Sequence, residues 1–298
     1  MKIIKKWLKA TRAPFFTASI IPVLVGCALA ERQKSFNLFM GFLSLSIVIL
    51  SHAGANLIND YFDARGSDCI NHNITPFSGG SRMIQKGEIS RSSCLRATLW
   101  TYGVCIVISG LLSIFKHNGL IFLLTILGIM NGIAYSSTFI CGMKKGWGEL
   151  MVGFGFGPLS VMGSYLIQIG NIDKEAFIAG IPVGLFIMGV LILNEFPDVE
   201  ADEAAGKRNW VVNWGIKRSV WIYLSAIALA YLTIMFGVMT KVFPVKILFS
   251  YFTLPLAVWV GLKIWRHKEK VPELIPAMAG NIGLQFITGL LICLGLLG

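Results

Sequence analysis

Long apolar runs recur along the chain, separated by polar connections. Runs of the roughly 17 to 25 residues a helix needs to cross about 30 Å of hydrocarbon lie at 14–31, 37–58, 94–115, 119–139, 147–169, 175–195, 219–239, 245–264 and 274–297. They are continuously apolar and do not alternate with a period of two, which predicts helices and not a barrel. The pattern therefore predicts an all-α, polytopic membrane protein of nine transmembrane helices, one integral-membrane domain over residues 1–298. Two connections are long, about 61–93 and 196–218, and long connections beside polar helix ends are where a lid is expected.

Composition agrees with the pattern. The chain is 55% hydrophobic and 14% charged, with a mean hydropathy of +0.71, outside the range of ordinary soluble domains. The net charge of +11 has a topological origin. With the N-terminus in the cytoplasm, 20 of the 26 Lys and Arg fall in cytoplasmic segments, the bias that orients membrane proteins. A nucleic-acid partner is thereby excluded as the reason for the charge, and the C-terminus is expected outside. The opening MKIIKKWLKATR, followed by Leu24-Val25-Gly26-Cys27 or Ala28-Leu29-Ala30, also resembles a cleavable leader, but eight further spans favour a retained first helix. The six cysteines contain no CxxC pair, so neither a disulfide frame nor a zinc site is expected.

The informative positions are the polar ones that close helices two and six. The second helix ends in NLINDYFDARGSD, with Asn56, Asn59, Asp60, Asp63 and Asp68. The sixth ends in LNEFPDVEADEAAGKRN, with Asn194, Glu195, Asp198 and Asp202. Carboxylates at the edge of hydrocarbon are costly unless something pairs with them. Helical spacing puts Asn56 with Asp60, Asn59 with Asp63, and Asn194 with Asp198 and Asp202 on single faces, while Gly66 is expected to break the helix before Asp68. The two stretches echo each other, each followed by Gly and a basic residue, Gly79-Gly80-Ser81-Arg82 and Gly206-Lys207-Arg208. This suggests an internal repeat of helices one to four and five to eight, with the ninth extra. Both patches fall on one membrane face. Clustered carboxylates and carboxamides are hard oxygen donors suited to Mg²⁺, which completes its shell with water and phosphate. The expected ligand is a diphosphate bridged by Mg²⁺, with Arg12, Arg82, Lys144, Lys145, Lys207 and Arg208 as candidates for its remaining oxygens.

NDYFDARGSD and NEFPDVEADEAAGKRN resemble the paired aspartate-rich signatures of the UbiA superfamily of intramembrane aromatic prenyltransferases. WLKATRAPFFTASIIPVLVGCALA, GELMVGFGFGPLSVMGSYL and PAMAGNIGLQFITGLL are similar to the menaquinone-pathway branch that prenylates 1,4-dihydroxy-2-naphthoate. The resemblance implies a nine-helix bundle with cytoplasmic cap loops in the cell inner membrane. It implies a polyprenyl diphosphate held by two Mg²⁺ on Asp60, Asp63, Asp198 and Asp202, with Asp68 as a further metal contact. Asn56, Asn59 and Asn194 would assist, and the aromatic acceptor would lose CO₂ as it is prenylated. Tyr61, Phe62, Tyr135 and Phe196 are candidate aromatic faces for the allylic cation. His52 lies on the Asn56 face and points at the site or serves as a core residue.

Three departures stand out. Asp63 to Asp68 is one residue longer than in many relatives, and Glu195 stands beside Asn194 as an amide substitute or outside the site. The Pro-Pro turn after helix four is absent, with Met143 where relatives carry Lys, leaving Lys144 or Lys145 for that contact. Within the superfamily, 4-hydroxybenzoate, homogentisate, haem or chlorophyllide acceptors are alternatives. From other classes, a cation-coupled transporter would place its acids near mid-membrane, and a CDP-alcohol phosphotransferase would need an Asp-Gly-x-x-Ala-Arg signature that Asp63-Ala64-Arg65 does not complete.

Overall fold

The computed structural model describes residues 2–136 and 146–297. Among them, nine helical segments are long and apolar enough to cross a membrane, and no strand occurs. The chain opens with α1 (Lys2–Ala10), followed by the first span, a 3-10 turn (Ala13–Phe16) and α2 (Thr17–Arg32). Then come α3 (Leu38–Asp63), short α4 (Ser67–Ile70), α5 (Arg91–Phe115) and α6 (Gly119–Ser136). The fifth span joins α7 (Gly148–Phe154) to α8 (Ser160–Ile169) through a π turn. It is followed by α9 (Lys174–Asn194), short α10 (Val199–Ala204), α11 (Trp210–Met239), a 3-10 segment leading into α12 (Leu254–His267), and α13 (Val271–Leu296).

α9 is the axis of the bundle. It is apolar on all sides, as a helix surrounded by protein must be, and two cores meet on it. Phe186, Ile192 and Leu193 pack with Tyr223 and Ile227 of α11, Ile264 of α12 and Met278 of α13. Val183 and Ile187 pack with Ile21 and Val25 of α2, Val161 of α8 and Ile292 of α13. Close approach is by small residues. A Cβ on Gly157 would collide with the Gly180 carbonyl and the Gly184 backbone, so only glycine lets these helices touch, the usual device where lipid offers no hydrophobic drive. The outward faces of α5 and α6 are bare hydrocarbon, including Trp100, Leu111, Ile114 and Leu123.

Helix two runs as expected through Asp63 and ends before Gly66, while two later helix boundaries differ from expectation, each for a physical reason. At 26 residues α3 is about 39 Å long at 1.5 Å per residue, so its acidic last turns extend past the hydrocarbon. Asn194, Asp198 and Asp202 do not share one helix, because α9 stops at Asn194 and a turn over 195–198 precedes α10. Pro197 cannot donate a backbone hydrogen bond and disfavours helix at the residue before it. The seventh span begins at Trp210 and not 219, with a kink at Gly215, whose φ of 76° is a left-handed value that glycine adopts freely.

Candidate functional site

The acidic ends of α3 and α9 lie at the same end of the bundle and share one cavity, lined by Asp63, Asp68, Asn194, Glu195, Asp198, Asp202 and Lys207 among others. Lys207 joins the two motifs: its Nζ is 2.8 Å from Asp63 and 3.1 Å from Asp202. Arg12 is the second cation. It sits at the left-handed corner (φ 52°) between α1 and the first span, and donates to Asp60 at 2.7 Å and Asn59 at 3.1 Å. Asn59 in turn donates to Asp63 at 3.1 Å.

The loop over 64–90 is the second bridge. Gly79, Gly80 and Arg82 all have positive φ, between 62° and 79°, and this turn aims backbone N–H groups at both motifs. Gly79 N–H donates to Asp198 at 3.0 Å and Ser81 N–H to Asp60 at 3.3 Å. The Ser81 hydroxyl also donates to Asp60, and Asn71 donates to Asp198 at 2.7 Å. A Cβ at Gly80 would occupy the place of the Asp68 carboxylate. None of Asn71, Gly79 and Ser81 was expected from sequence, although the Gly-Gly pair is a signal that backbone approaches something closely there.

Not every expected residue reaches the cavity. Arg82 turns its guanidinium to the Asp68 carbonyl, and Arg208 is exposed; neither lines the cavity. Asn56 donates to the Thr11 carbonyl at 2.9 Å and lines the adjoining apolar channel. Of the aromatic candidates, only Tyr135 lines the cavity. Tyr61 lies under the Arg91 guanidinium at 3.9 Å and Phe196 is buried in the core. Lys144, Lys145 and Met143 lie outside the described residues. Glu195 is 4% exposed with both carboxylate oxygens unpartnered, and it faces Glu149, whose other oxygen accepts the N–H of Trp210 at the start of α11. Burial first, then Glu149, push the Glu195 carboxyl well above its usual range, because both disfavour its charged form.

Electrostatics describe a site with more acid than it can neutralise. Five aspartates, Asp60, Asp63, Asp68, Asp198 and Asp202, face two half-buried cations, Arg12 and Lys207. Burial raises Asp68 to about 7, helped by the charges of Asp63 and Asp60 and opposed by Arg12. Burial and then Asp202 raise Asp198 to about 6, opposed by Asn71, Gly79 and Lys207. Burial alone would lower Lys207, but Asp63 and Asp202 outweigh it and hold the amine above its usual value. Among the described residues no three potential ligands converge on one point, and Arg12, Lys207, Asn71 and Ser81 are bonded to the carboxylates. The donor chemistry nonetheless fits hard divalent cations, which would compete with Lys207 and Arg12 for the same oxygens.

The raised acids predict a pH signature. A carboxyl whose folded pKa exceeds its unfolded value binds protons in the folded state that the unfolded chain has released, so stability falls as pH rises between the two values. For Asp198 and Asp68 that window runs from about 4 to about 7. Lys207 is charged in both states throughout it. Metal-free protein is expected to unfold at lower temperature at pH 8 than at pH 5.5, with Mg²⁺ narrowing the gap; an unfolding temperature flat with pH would contradict these shifts.

Beyond the acids the space turns apolar. An apolar channel shares Arg12, Asn59, Tyr135, Leu191 and Asn194 with the acidic cavity. It continues through His52, Ala55, Asn131, Gly132 and Phe156 into a further space between α3, α6 and the α7–α8 span. His52 is 2.8 Å from the Ser19 hydroxyl and packs edge-on against Phe16 and Phe156, so it serves as a hydrogen-bonded wall of the channel.

The model of the UbiA prenyltransferase family matches residues 19–286. The chain is 24% identical over 96% of its length, and 90% of the relative's, to 1,4-dihydroxy-2-naphthoate octaprenyltransferase of Bacillus subtilis. It is 33% identical over 70% of its length, and 68% of the relative's, to the Escherichia coli protein of that name. A UbiA homolog from Archaeoglobus fulgidus, solved with GPP and Mg²⁺, superposes with a TM-score of 0.65 at 16% identity, covering 96% of this chain and 99% of that one.

Proposed function

The chain belongs to the UbiA prenyltransferase family, and from that premise we propose that it transfers a polyprenyl group from its diphosphate to 1,4-dihydroxy-2-naphthoate. The reaction would take place at the cytoplasmic end of the bundle in the cell inner membrane. Membership makes it a multi-pass membrane enzyme and sets the transporter reading aside. The observation that carries the proposal is the single acidic cavity in which Lys207 touches both motifs, opening directly into an apolar channel. A charged head and a long hydrocarbon tail need that combination.

In this reading Asp60, Asp63, Asp198 and Asp202, with Asp68 beside them, hold Mg²⁺, and Asn59 and Asn194 assist. Bound Mg²⁺ supplies the positive charge that stabilises the departing diphosphate. Arg12 and Lys207, released from their carboxylates, turn to diphosphate oxygens as charge grows on them. The allylic C–O bond breaks, the acceptor carbon forms a new C–C bond to the prenyl carbon, and the acceptor's carboxyl leaves as CO₂. Tyr135, where cavity and channel meet, presents a ring to the allylic carbon. The 64–90 loop covers the acids and excludes water that would quench the cation. The cytoplasmic orientation is supported by the distribution of Lys and Arg.

Purified protein with a polyprenyl diphosphate and a panel of aromatic acceptors, with Mg²⁺ or EDTA, tests the reaction. A prenylated naphthoquinol formed only with Mg²⁺ is the expected product; prenylation of another acceptor instead would overturn the acceptor assignment. The channel gives a separate expectation. Gly163 lines its far end and a Cβ there meets nothing within 4 Å, so Gly163→Trp fills the distal channel without a clash near its backbone. Its kcat/KM for a long polyprenyl diphosphate should fall by about tenfold or more relative to a short one, by loss of apolar contact. Equal losses for both lengths would place the tail elsewhere.

A further inference from the structure

The polar and apolar residues of α1 are divided without exception. At 100° per residue, Ile3, Ile4, Trp7, Leu8 and Ala10 of KIIKKWLKA cover one half of the helix, Lys5, Lys6 and Lys9 lie on the other, and the helix contains no acid. Ala10 is buried and Trp7 packs beside it against Leu57, Met83 and Ile89 of the bundle. The rest of the apolar half is bare, with Ile3 72%, Ile4 65% and Leu8 49% exposed, and it has no partner among the described residues. A short amphipathic helix of this charge, next to a membrane span, fits an interface carrying negative headgroups.

The chain that follows α1 leads straight into the site. Thr11 N–H bonds to the Trp7 carbonyl at 2.8 Å and Arg12 N–H to the Lys9 carbonyl at 3.1 Å. The Thr11 carbonyl is clamped by Asn56 of α3, and the next side chain is the Arg12 guanidinium on Asp60 and Asn59. No flexible linker separates the exposed helix from this cation. We propose that α1 docks on anionic phospholipid and that this docking holds Arg12 in place, so that the lipid charge of the membrane sets the affinity for the prenyl diphosphate. Zwitterionic lipid would satisfy Ile3, Ile4 and Leu8 but not the lysines, leaving α1 free to lift and carry Arg12 with it. The coupling to affinity rests on the reading of Arg12 as a diphosphate contact; the docking does not.

The test uses the full chain in nanodiscs of phosphatidylcholine alone or with about one third phosphatidylglycerol. Amide exchange over residues 3–10 should be severalfold slower in the anionic discs, and KM for a polyprenyl diphosphate severalfold lower at similar kcat. Lys5→Gln/Lys6→Gln/Lys9→Gln, at positions outside the acidic cavity, should remove both differences while keeping the unfolding temperature. Equal exchange in the two discs, whether slow or fast, would overturn anionic docking. Slower exchange with an unchanged KM would overturn the coupling, and so would a triple variant whose KM still follows lipid charge. Should the prenyl diphosphate not be turned over in either disc, the functional reading fails, and the exchange data still decide whether α1 docks.

Discussion

Asp198→Ala is expected to lower turnover by about 10²- to 10³-fold, the size seen when one pre-organised electrostatic group is removed from a reacting centre. Asp198 accepts from Asn71 and from Gly79 N–H, so it is aimed into the cavity by the loop that also holds Asp60. Truncation therefore has two effects, loss of a negative charge that would bind metal and loss of the loop's anchor. Asp198→Asn separates them. An amide oxygen still accepts from Asn71 or Gly79, so the unfolding temperature should stay near that of the unaltered protein, while turnover should fall almost as far as in the alanine variant. Asp63→Ala, across the cavity, should cost a similar factor, and the double variant little more than either single one, because groups that hold one ligand act as a unit. Single-turnover rates with saturating prenyl diphosphate and Mg²⁺ are the measurement. Near-normal turnover in Asp198→Asn would remove that carboxylate from the chemistry.

How far the sequence predicts this site depends on the kind of signal each residue carries. The nine spans are written in continuous hydropathy, and all nine recur in the structure with bounds shifted by a few residues, apart from the seventh. There the extra first turns are held by Asn209, which caps the helix, and by Glu149 from another helix, a tertiary contact no local pattern reports. The acids were legible because charge at the end of an apolar run is anomalous. Asn71 and Ser81 carry no such anomaly, since polar residues in a polar loop look ordinary until the chain folds back and sets them on Asp198 and Asp60. The basic residues misled in the opposite way. Spacing after a glycine made Arg82, Lys207 and Arg208 equivalent, and only the left-handed turn at Arg82 and the start of α11 beside Arg208 separate them from Lys207. Pro197 did carry a signal against a continuous helix through Asp202, and the four-residue step of the acids obscured it.

Lys207→Met is expected to destabilise the metal-free protein by about 3 kcal/mol near pH 8, the scale for breaking a buried ion pair by removing one partner. The Lys207 side chain is 13% exposed and its ammonium is the only contact common to Asp63 and Asp202 among the described residues. Methionine keeps much of the aliphatic stem, so packing changes little and what remains is two buried carboxylates facing each other. Burial raises the Asp202 carboxyl and Lys207 opposes that rise, so removing the ammonium raises it further and fixes the sign of the pH dependence. The variant should approach the stability of the unaltered protein in acid and lose it as pH rises. Divalent cation provides a second route to the same recovery. In the proposed metal site Mg²⁺ would have to displace Lys207 in the unaltered protein but would find the carboxylates vacant in the variant, so added Mg²⁺ should raise the variant's unfolding temperature more. Turnover should still fall, because no ammonium is left to follow the charge onto the departing diphosphate. Thermal unfolding in detergent at pH 5.5 and 8, with and without Mg²⁺, separates this account from a packing role: a loss of stability equal at both pH values and indifferent to Mg²⁺ would mean that Lys207 fills space and does not balance charge.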